Sequence, residues 1–359
     1  MQTSAPVRLK EIDFLRGLAV LLVIFRHFRW VEPLQEMGWI GVDLFFVLSG
    51  FLVSGLLFKE YIHTGRINGI RFLIRRGFKI YPVFYSFILF TIVYKTAIHK
   101  PIQTDALIGE LFFIQNYVGS FWNHTWSLAV EEHFYFTLTL LLYLTSKKGL
   151  TGNPRFFARL TAAIAIICLL QRLYFNSSEM KIEYLYYSHF RFDSLFWGVF
   201  LSYQYHFRRE KLQQFVMNNK RLLQLTTLAC ISYTPFLNEM GSYFVRTVGF
   251  SLLYLGFGSL LLQFIFLRYD VILKKNKLSA FIYSFVSTIG FYSYSIYIVH
   301  IMMSLIAVQL QSRYLLDNNL TFFIYLSMSV IAGIGISKTI EIPFLKLREK
   351  YYPKTETAT

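Results

Sequence analysis

Cysteine and charge are both scarce in this chain, and each scarcity excludes something. Two cysteines in 359 residues, Cys168 and Cys230, leave no room for a disulfide framework. Both fall inside apolar runs, where a small buried side chain is the expected role. Charged residues make up only 16% of the chain against 55% hydrophobic and 19% aromatic, too little polar surface to cover a water-soluble globule. The apolar residues come in runs of about 17 to 25, the length that crosses a hydrocarbon core. The fold class expected is an all-α membrane protein. Helices are expected at 13–30, 39–58, 80–98, 126–145, 159–176, 190–205, 222–238, 246–267, 286–311 and 319–341, about ten transmembrane helices, which places both termini on one side.

Acidic residues are the scarcer sign, 20 against 36 basic, giving a net charge of +16. The excess is distributed by loop. One set of alternate loops holds Arg8, Lys10, Lys59, Arg66, Arg71, Arg75, Arg76, Lys79, Lys147, Lys148, Arg155, Arg159, Arg208, Arg209, Lys211, Lys220, Arg221, Arg268, Lys274, Lys275, Lys277, Lys346, Arg348, Lys350 and Lys354. The other set holds Arg29, Lys95, Lys100, Arg172, Lys181, Arg246 and Arg313. About 25 against 7 predicts cytoplasmic N and C termini, and the high pI then reflects topology, with no case for nucleic acid. The stretch 106–125 is too short to span and reads as an extracytoplasmic interfacial segment. Arg16 interrupts the first apolar run and no small-x-small site closes it, so an uncleaved signal-anchor is expected rather than a signal peptide. One transmembrane unit over 1–345 is expected, then a short basic cytoplasmic tail over 346–359 with no soluble domain attached.

Against this apolar background the ionisable residues stand out, because a charge inside a membrane is costly and is kept for a reason. Arg16 and His27 lie eleven positions apart in the first run. On one helix that is about three turns, which puts them on a common face about 16 Å apart. Asp13, three residues before Arg16, is the expected counter-ion. The alternative is that Arg16 snorkels to the headgroups and His27 caps the far interface. The next helix runs back from outside, bringing Asp43 to about the level of His27 and Ser49 to mid-membrane. Trp126, Ser127, Glu131 and Glu132 open the fourth span, and adjacent carboxylates about 100° apart allow at most one to face a given cavity. Arg191 and Asp193 begin the sixth helix on that side, and His300 falls near the middle of the ninth beside Tyr297. No metal-ligand spacing stands out.

On the opposite side, Arg71, Arg75, Arg76 and Lys79 lead into Tyr81-Pro82. Residues 71, 75 and 79 share one helical face, which reads as an interfacial helix on anionic lipid. It reads equally as an anion clamp for a phosphorylated ligand.

Taken together, Asp13-Phe14-Leu15-Arg16-Gly17 with His27, Gly41-Val42-Asp43-Leu44-Phe45-Phe46-Val47-Leu48-Ser49-Gly50-Phe51-Leu52, Arg75-Arg76 with Lys79-Ile80-Tyr81-Pro82, Thr125-Trp126-Ser127-Leu128 with Glu131-Glu132-His133-Phe134-Tyr135, and Ser293-Tyr294-Ser295-Ile296-Tyr297 with His300 resemble the acyltransferase type 3 family. The resemblance spans nearly the whole chain in order. It departs at Lys79, where the family more often has Arg; Lys keeps the charge but loses the bidentate fork. The resemblance implies a membrane O-acyltransferase, in a bacterial inner membrane, that moves an acyl group, usually acetyl from acetyl-CoA, to a hydroxyl at or beyond the outer face. In that reading His27 is the general base or acyl carrier, with Asp43 or Glu132 to orient it. Arg16, Arg75, Arg76, Lys79 and Tyr81 hold the CoA end, and an extended pantetheine arm is comparable in length to the Arg16–His27 separation. Asp13, Ser49, Trp126, Ser127, Glu131, Arg191, Asp193 and His300 serve substrate or structure. The partners implied are acyl-CoA, a glycan or lipid-linked sugar acceptor and the bilayer. Lipopolysaccharide O-antigen, exopolysaccharide and small-molecule hydroxyls stay open as acceptors, and a transporter of lipid-linked glycan or small acids is the competing class.

Overall fold

The computed structural model describes residues 10–177, 182–238, 241–269, 271 and 275–353. Arg8, Lys181, Lys274 and Lys354 of the charge count lie outside the described residues, as do 1–9 of the transmembrane unit and 354–359 of the tail. Every regular element among the described residues is helical: α1 Lys10–Arg26, α2 Ile40–Thr64, α3 Gly69–Ala97, α4 Thr104–Phe112, α5 Trp126–Lys147, α6 Pro154–Ser177, α7 Phe192–Phe207, α8 Arg209–Asn218, α9 Lys220–Ile231, α10 Phe250–Phe266, α11 Lys277–Phe291, α12 Ser293–Tyr314, α13 Asn318–Ile336 and α14 Ile342–Tyr351, with a short α-helix at Glu32–Met37 leading into α2, π-helical turns at Val245–Gly249 and Ser337–Glu341, and short 3-10 turns. Side-chain oxygens cap several starts. Asn68 accepts from the Arg71 N–H, Asn276 from that of Ser279, and Asp317 from those of Asn319 and Leu320. Gly65, at φ 69°, ends α2 in the left-handed conformation that glycine adopts without strain.

Among the described residues, six stretches are long and apolar enough to cross a membrane: Glu32–Thr64, Gly69–Ala97, Pro154–Asn176, Val245–Phe266, Ser293–Tyr314 and Asn318–Tyr351. They match six of the ten spans expected. The other four fall on helices that miss one condition. α1 has 17 residues, α7 has 16 and α9 has 12, while α5 has 22 but dilutes its apolar run with Glu131, Glu132 and His133.

Three boundaries differ from the expectation. α1 stops at Arg26, so His27 is the first residue beyond it, in a turn closed by its own N–H to the Ile24 carbonyl. Residues 71–79 are not a separate interfacial helix but the opening turns of α3. The span expected at 286–311 is two helices, α11 and α12, broken at Tyr292. Just before that break α11 packs closely on α1. Gly290 lies so close to α1 that a Cβ on it would sit 1.7 Å from the Asp13 carbonyl oxygen, and one on Gly17 would sit 2.0 Å from that of Val286. The two helices cross backbone to backbone. α2 and α7 make the same kind of crossing through Gly50 and Gly198.

These contacts give the bundle two ends. α12 runs beside α1 in the same direction, with Ser293 at Arg16 and Ser304 donating to the His27 carbonyl (3.2 Å). α13 returns antiparallel, from Trp30, whose indole N–H donates to Asn319 (2.9 Å), to Glu341, which accepts from Ser295 (2.8 Å). One end of the bundle therefore gathers Arg16, Lys79, Ser293 and Glu341, and the other gathers His27, Trp30 and the α13 N-terminus.

Candidate active site

Between α1, α2, α3, α5 and α12 lies a half-open cavity of ≈ 750 Å³, a volume that takes in the open solvent at its mouth. Its wall changes character along its length. At one end stand Arg16, Arg76, Lys79, Ser293 and Tyr294. Arg16 donates from Nε and Nη2 to Ser293 Oγ (3.2 and 3.0 Å), and Arg76 lies over the Tyr135 ring, 4.6 Å from its centroid. The Arg76 Nε is buried with no hydrogen-bond partner, and no carboxylate pairs with this guanidinium among the described residues. Lys79 is different. Its ammonium is bound at 2.6 Å to Glu341, whose other oxygen accepts from Ser295 (2.8 Å) and Ser337 (2.9 Å). A lysine so neutralised has little charge left for a ligand.

Midway, Glu131 faces the cavity and accepts from Ser49 Oγ (2.5 Å) and Tyr135 OH (2.9 Å), while Val42, Phe45, Phe46, Leu48 and Leu52 make the rest of the wall apolar. At the far end, Ser127 and Tyr297 close the space with a 2.6 Å hydrogen bond. Both hydroxyls also reach the His124 carbonyl, Tyr297 at 2.8 Å and Ser127 at 3.3 Å, so the pair is anchored to the backbone before α5.

Behind that wall are three imidazoles. His300 is fully buried, with ring centroids 5.1 Å from His27 and 5.0 Å from His124. His27 itself is exposed and does not line the cavity. His124 is placed by the segment from α4 to α5, which turns on a buried carboxyl that the sequence reading missed. Glu110 accepts from the Phe121 N–H (3.0 Å) and the Thr125 hydroxyl (3.0 Å). Burial pushes this carboxyl up to about 7, while those two hydrogen bonds oppose the shift.

The remaining predicted residues separate into those the structure brings to the cavity and those it does not. Arg16, Ser49, Arg76, Lys79, Ser127 and Glu131 line it. Glu132 points the other way and accepts from Tyr81 (3.1 Å), and Asp43 is tied to Arg191 (2.5 Å), so neither carboxylate reaches His27 to orient it. Arg191 is held among aromatic rings, 3.9 Å from the Phe250 centroid and 5.6 Å from that of Trp126. Asp193 pairs at 2.6 Å with Arg172, which also donates to the Phe190 carbonyl and Ser251. These two buried pairs fasten the start of α7 to its neighbours, and Arg172, counted in the sequence only as a helix-end charge, has no exposed surface. Asp13 lies one turn before Arg16, its backbone against Gly290. Arg75 leaves the cavity altogether. It binds Glu349 (2.9 Å) and the Tyr352 carbonyl, as Arg71 binds that of Pro353, so the C-terminal segment covers that face of α3. The clamp read from the 71, 75 and 79 spacing is thus divided, with Arg76 and Lys79 inward and Arg71 and Arg75 on the tail.

A cavity with cations at one end and histidines beyond the other carries no family name by itself. Residues 9–338 match the family model described as an acyltransferase domain. The chain belongs to the acyltransferase type 3 family. Among curated proteins, this acyltransferase is 29% identical over 273 residues to the peptidoglycan O-acetyltransferase OatA of Listeria monocytogenes, covering 67% of this chain and 42% of that one. It is 32% identical over 157 residues to the O-acetyltransferase OatA of Staphylococcus aureus, covering 38% and 25%. The matches thus span less than half the length of these relatives. No solved structure matches.

Proposed function

We propose that this acyltransferase is a membrane O-acetyltransferase that takes acetyl from acetyl-CoA at the Arg16–Arg76 end of the cavity and delivers it to a glycan hydroxyl at the His27 end. The observation that carries the reading is the polarity of the cavity. A phosphorylated, thioester-bearing donor needs cations for its head and an apolar passage for its arm, and Arg16, Arg76 and the Phe45–Leu48–Leu52 wall supply that sequence. The relatives' names, O-acetyltransferases of peptidoglycan in one case, support acetyl as the group and a glycan as the acceptor class. About ten crossings follow from the apolar runs, cytoplasmic termini from the distribution of basic residues and a bacterial inner membrane from the family, and together they put the cationic end on the side where CoA is made.

In this reading the acceptor hydroxyl gives its proton to a ring nitrogen of His27, the alkoxide oxygen bonds to the thioester carbonyl carbon, and the C–S bond breaks. The proton on His27 then passes to the departing thiolate, leaving an acetyl ester and free CoA. An N-acetyl intermediate on His27 divides the same chemistry into two steps. The Ser127–Tyr297 bond stands between the cavity and the imidazoles, so the acetyl end of the donor passes it. The test is His27→Ala, assayed for acetyl esters on surface glycan and for binding of acetyl-CoA to purified protein. Esters fall to background while donor affinity stays within about twofold, because the binding groups lie at the opposite end of the cavity. A variant that acetylates at the wild-type rate removes His27 from the chemistry.

A further inference from the structure

A general-base histidine needs a partner on its second nitrogen to fix the tautomer and bear part of the charge when the ring takes up a proton, and that partner is most often a carboxylate. Neither candidate carboxylate serves, since Asp43 is bound to Arg191 and Glu132 to Tyr81. Among the described residues no hydrogen bond reaches either ring nitrogen of His27, which is exposed and able to turn. What its ring does touch is His300.

The state of His300 follows from its surroundings. Its Nδ1 lies 2.6 Å from the Tyr297 carbonyl oxygen. A carbonyl only accepts, so Nδ1 carries the proton and Nε2 of the neutral ring is a lone pair. That Nε2 is fully buried and has no partner. The same logic holds for His124, whose Nε2 donates to the Ile298 carbonyl (3.1 Å) and whose Nδ1 is buried and bare. Two fixed tautomers thus leave two buried acceptor nitrogens on adjoining rings, neither with a donor among the described residues. Buried polar atoms are rarely left so, and an N–H is the group missing. His27 is the residue in ring contact with His300 able to supply one.

We propose that His300 is the positioning residue of the His27 base, its Nε2 accepting an N–H from His27 so that the other ring nitrogen presents its lone pair to the acceptor hydroxyl. The inference rests on the reading of His27 as base. When His27 takes the hydroxyl proton, the N–H it shares with His300 becomes a charge-assisted bond, and the charge is held without a carboxylate. The groups facing His27 are Arg26, its neighbour at the end of α1, His300 from α12 and His124 from the α4–α5 segment; Arg26 gains nothing from a charged ring, which leaves the imidazoles to hold it.

The test follows His27 directly. Modification by diethyl pyrocarbonate, localised by mass spectrometry on the full chain in native membranes, is measured from pH 5 to 9 for the wild type, His300→Leu and His300→Gln. The amide oxygen of Gln accepts a hydrogen bond and Leu does not. The midpoint for His27 modification falls by about one pH unit in His300→Leu, a roughly tenfold change in proton affinity, and returns most of the way in His300→Gln. Glycan acetylation falls at least tenfold in His300→Leu, with acetyl-CoA binding unchanged, and is partly rescued in His300→Gln. Equal midpoints in all three proteins overturn the proposal, as does equal loss of activity in Leu and Gln, which marks a packing role. If His27→Ala is itself active, the reading of His27 as base fails. If His27→Ala is inactive and His300→Leu behaves as wild type, this inference alone fails.

Discussion

At the scale of single residues, an ionisable side chain in an apolar run announces itself, because hydrocarbon leaves it no neutral role. Arg16 and Glu131 stood out in the sequence for that reason, Arg76 by its basic cluster and Ser49 by its motif, and all four face one cavity. Their partners did not stand out. Glu341, the last residue of the span expected at 319–341, belongs to none of the motifs, yet it neutralises Lys79 and gathers Ser295 and Ser337. Helical spacing also grouped the wrong cations, since it sorts residues by face and cannot say which face meets the cavity and which meets the tail. The consequence is testable within one dipeptide. Arg76→Ala removes a half-buried cation with no carboxylate partner among the described residues and weakens acetyl-CoA binding at least tenfold. Arg75→Ala removes a cation already bound to Glu349 and the Tyr352 carbonyl, and changes donor affinity less than about threefold. Titration of each purified variant with acetyl-CoA checks both. Equal losses would show that the donor displaces the C-terminal segment and uses Arg75 as well.

Among the elements, hydropathy located the apolar helices but not the break at Tyr292, because a window of a span's length averages over the few polar residues around it, Ser287, Thr288, Ser293 and Ser295. The bend matters for the site. It lets α11 lie across α1 and then sends α12 back beside α1, so that Ser293 meets Arg16 and His300 meets His27 from one continuous helix. Glycine at 290 is what permits the crossing, since a methyl there meets the Asp13 carbonyl at 1.7 Å and the Gly17 nitrogen at 2.6 Å, both backbone atoms that cannot step aside. Gly290→Ala should therefore cost on the order of 1–3 kcal/mol as an overpacked contact. It lowers the midpoint of thermal unfolding in detergent and also weakens acetyl-CoA binding, because Ser293, which opens α12 two residues after α11 ends, follows the displaced α11 away from Arg16. Gly335→Ala, on α13 with open space where its Cβ would go, is the control and leaves both measurements unchanged. A Gly290→Ala protein with wild-type stability would mean that α1 and α11 are held apart by something other than this contact.

For the whole molecule, the class was plain from composition, and the order of helices nearly so, while the depth of each group in the bilayer rests on the sidedness of the loops. That sidedness has a direct check, because Cys168 and Cys230 are both buried and contribute little background to thiol labelling. Lys100→Cys lies in an exposed turn after α3, and Lys211→Cys lies exposed at the start of α8. With the termini cytoplasmic, an impermeant maleimide added to intact cells labels Lys100→Cys and leaves Lys211→Cys unlabelled until the membrane is broken. The outcome bears on the chemistry as much as on topology. α3 runs from the Arg76–Lys79 end of the cavity toward the Lys100 turn, so labelling there from outside puts the cations on the side where acetyl-CoA is available and His27 on the side of the glycan. The acetyl group then crosses within the protein, and CoA does not cross at all. Labelling of Lys211→Cys in intact cells reverses the bundle, sets the cationic end in a compartment without CoA, and removes the reason for a cavity that is charged at one end and flanked by imidazoles at the other.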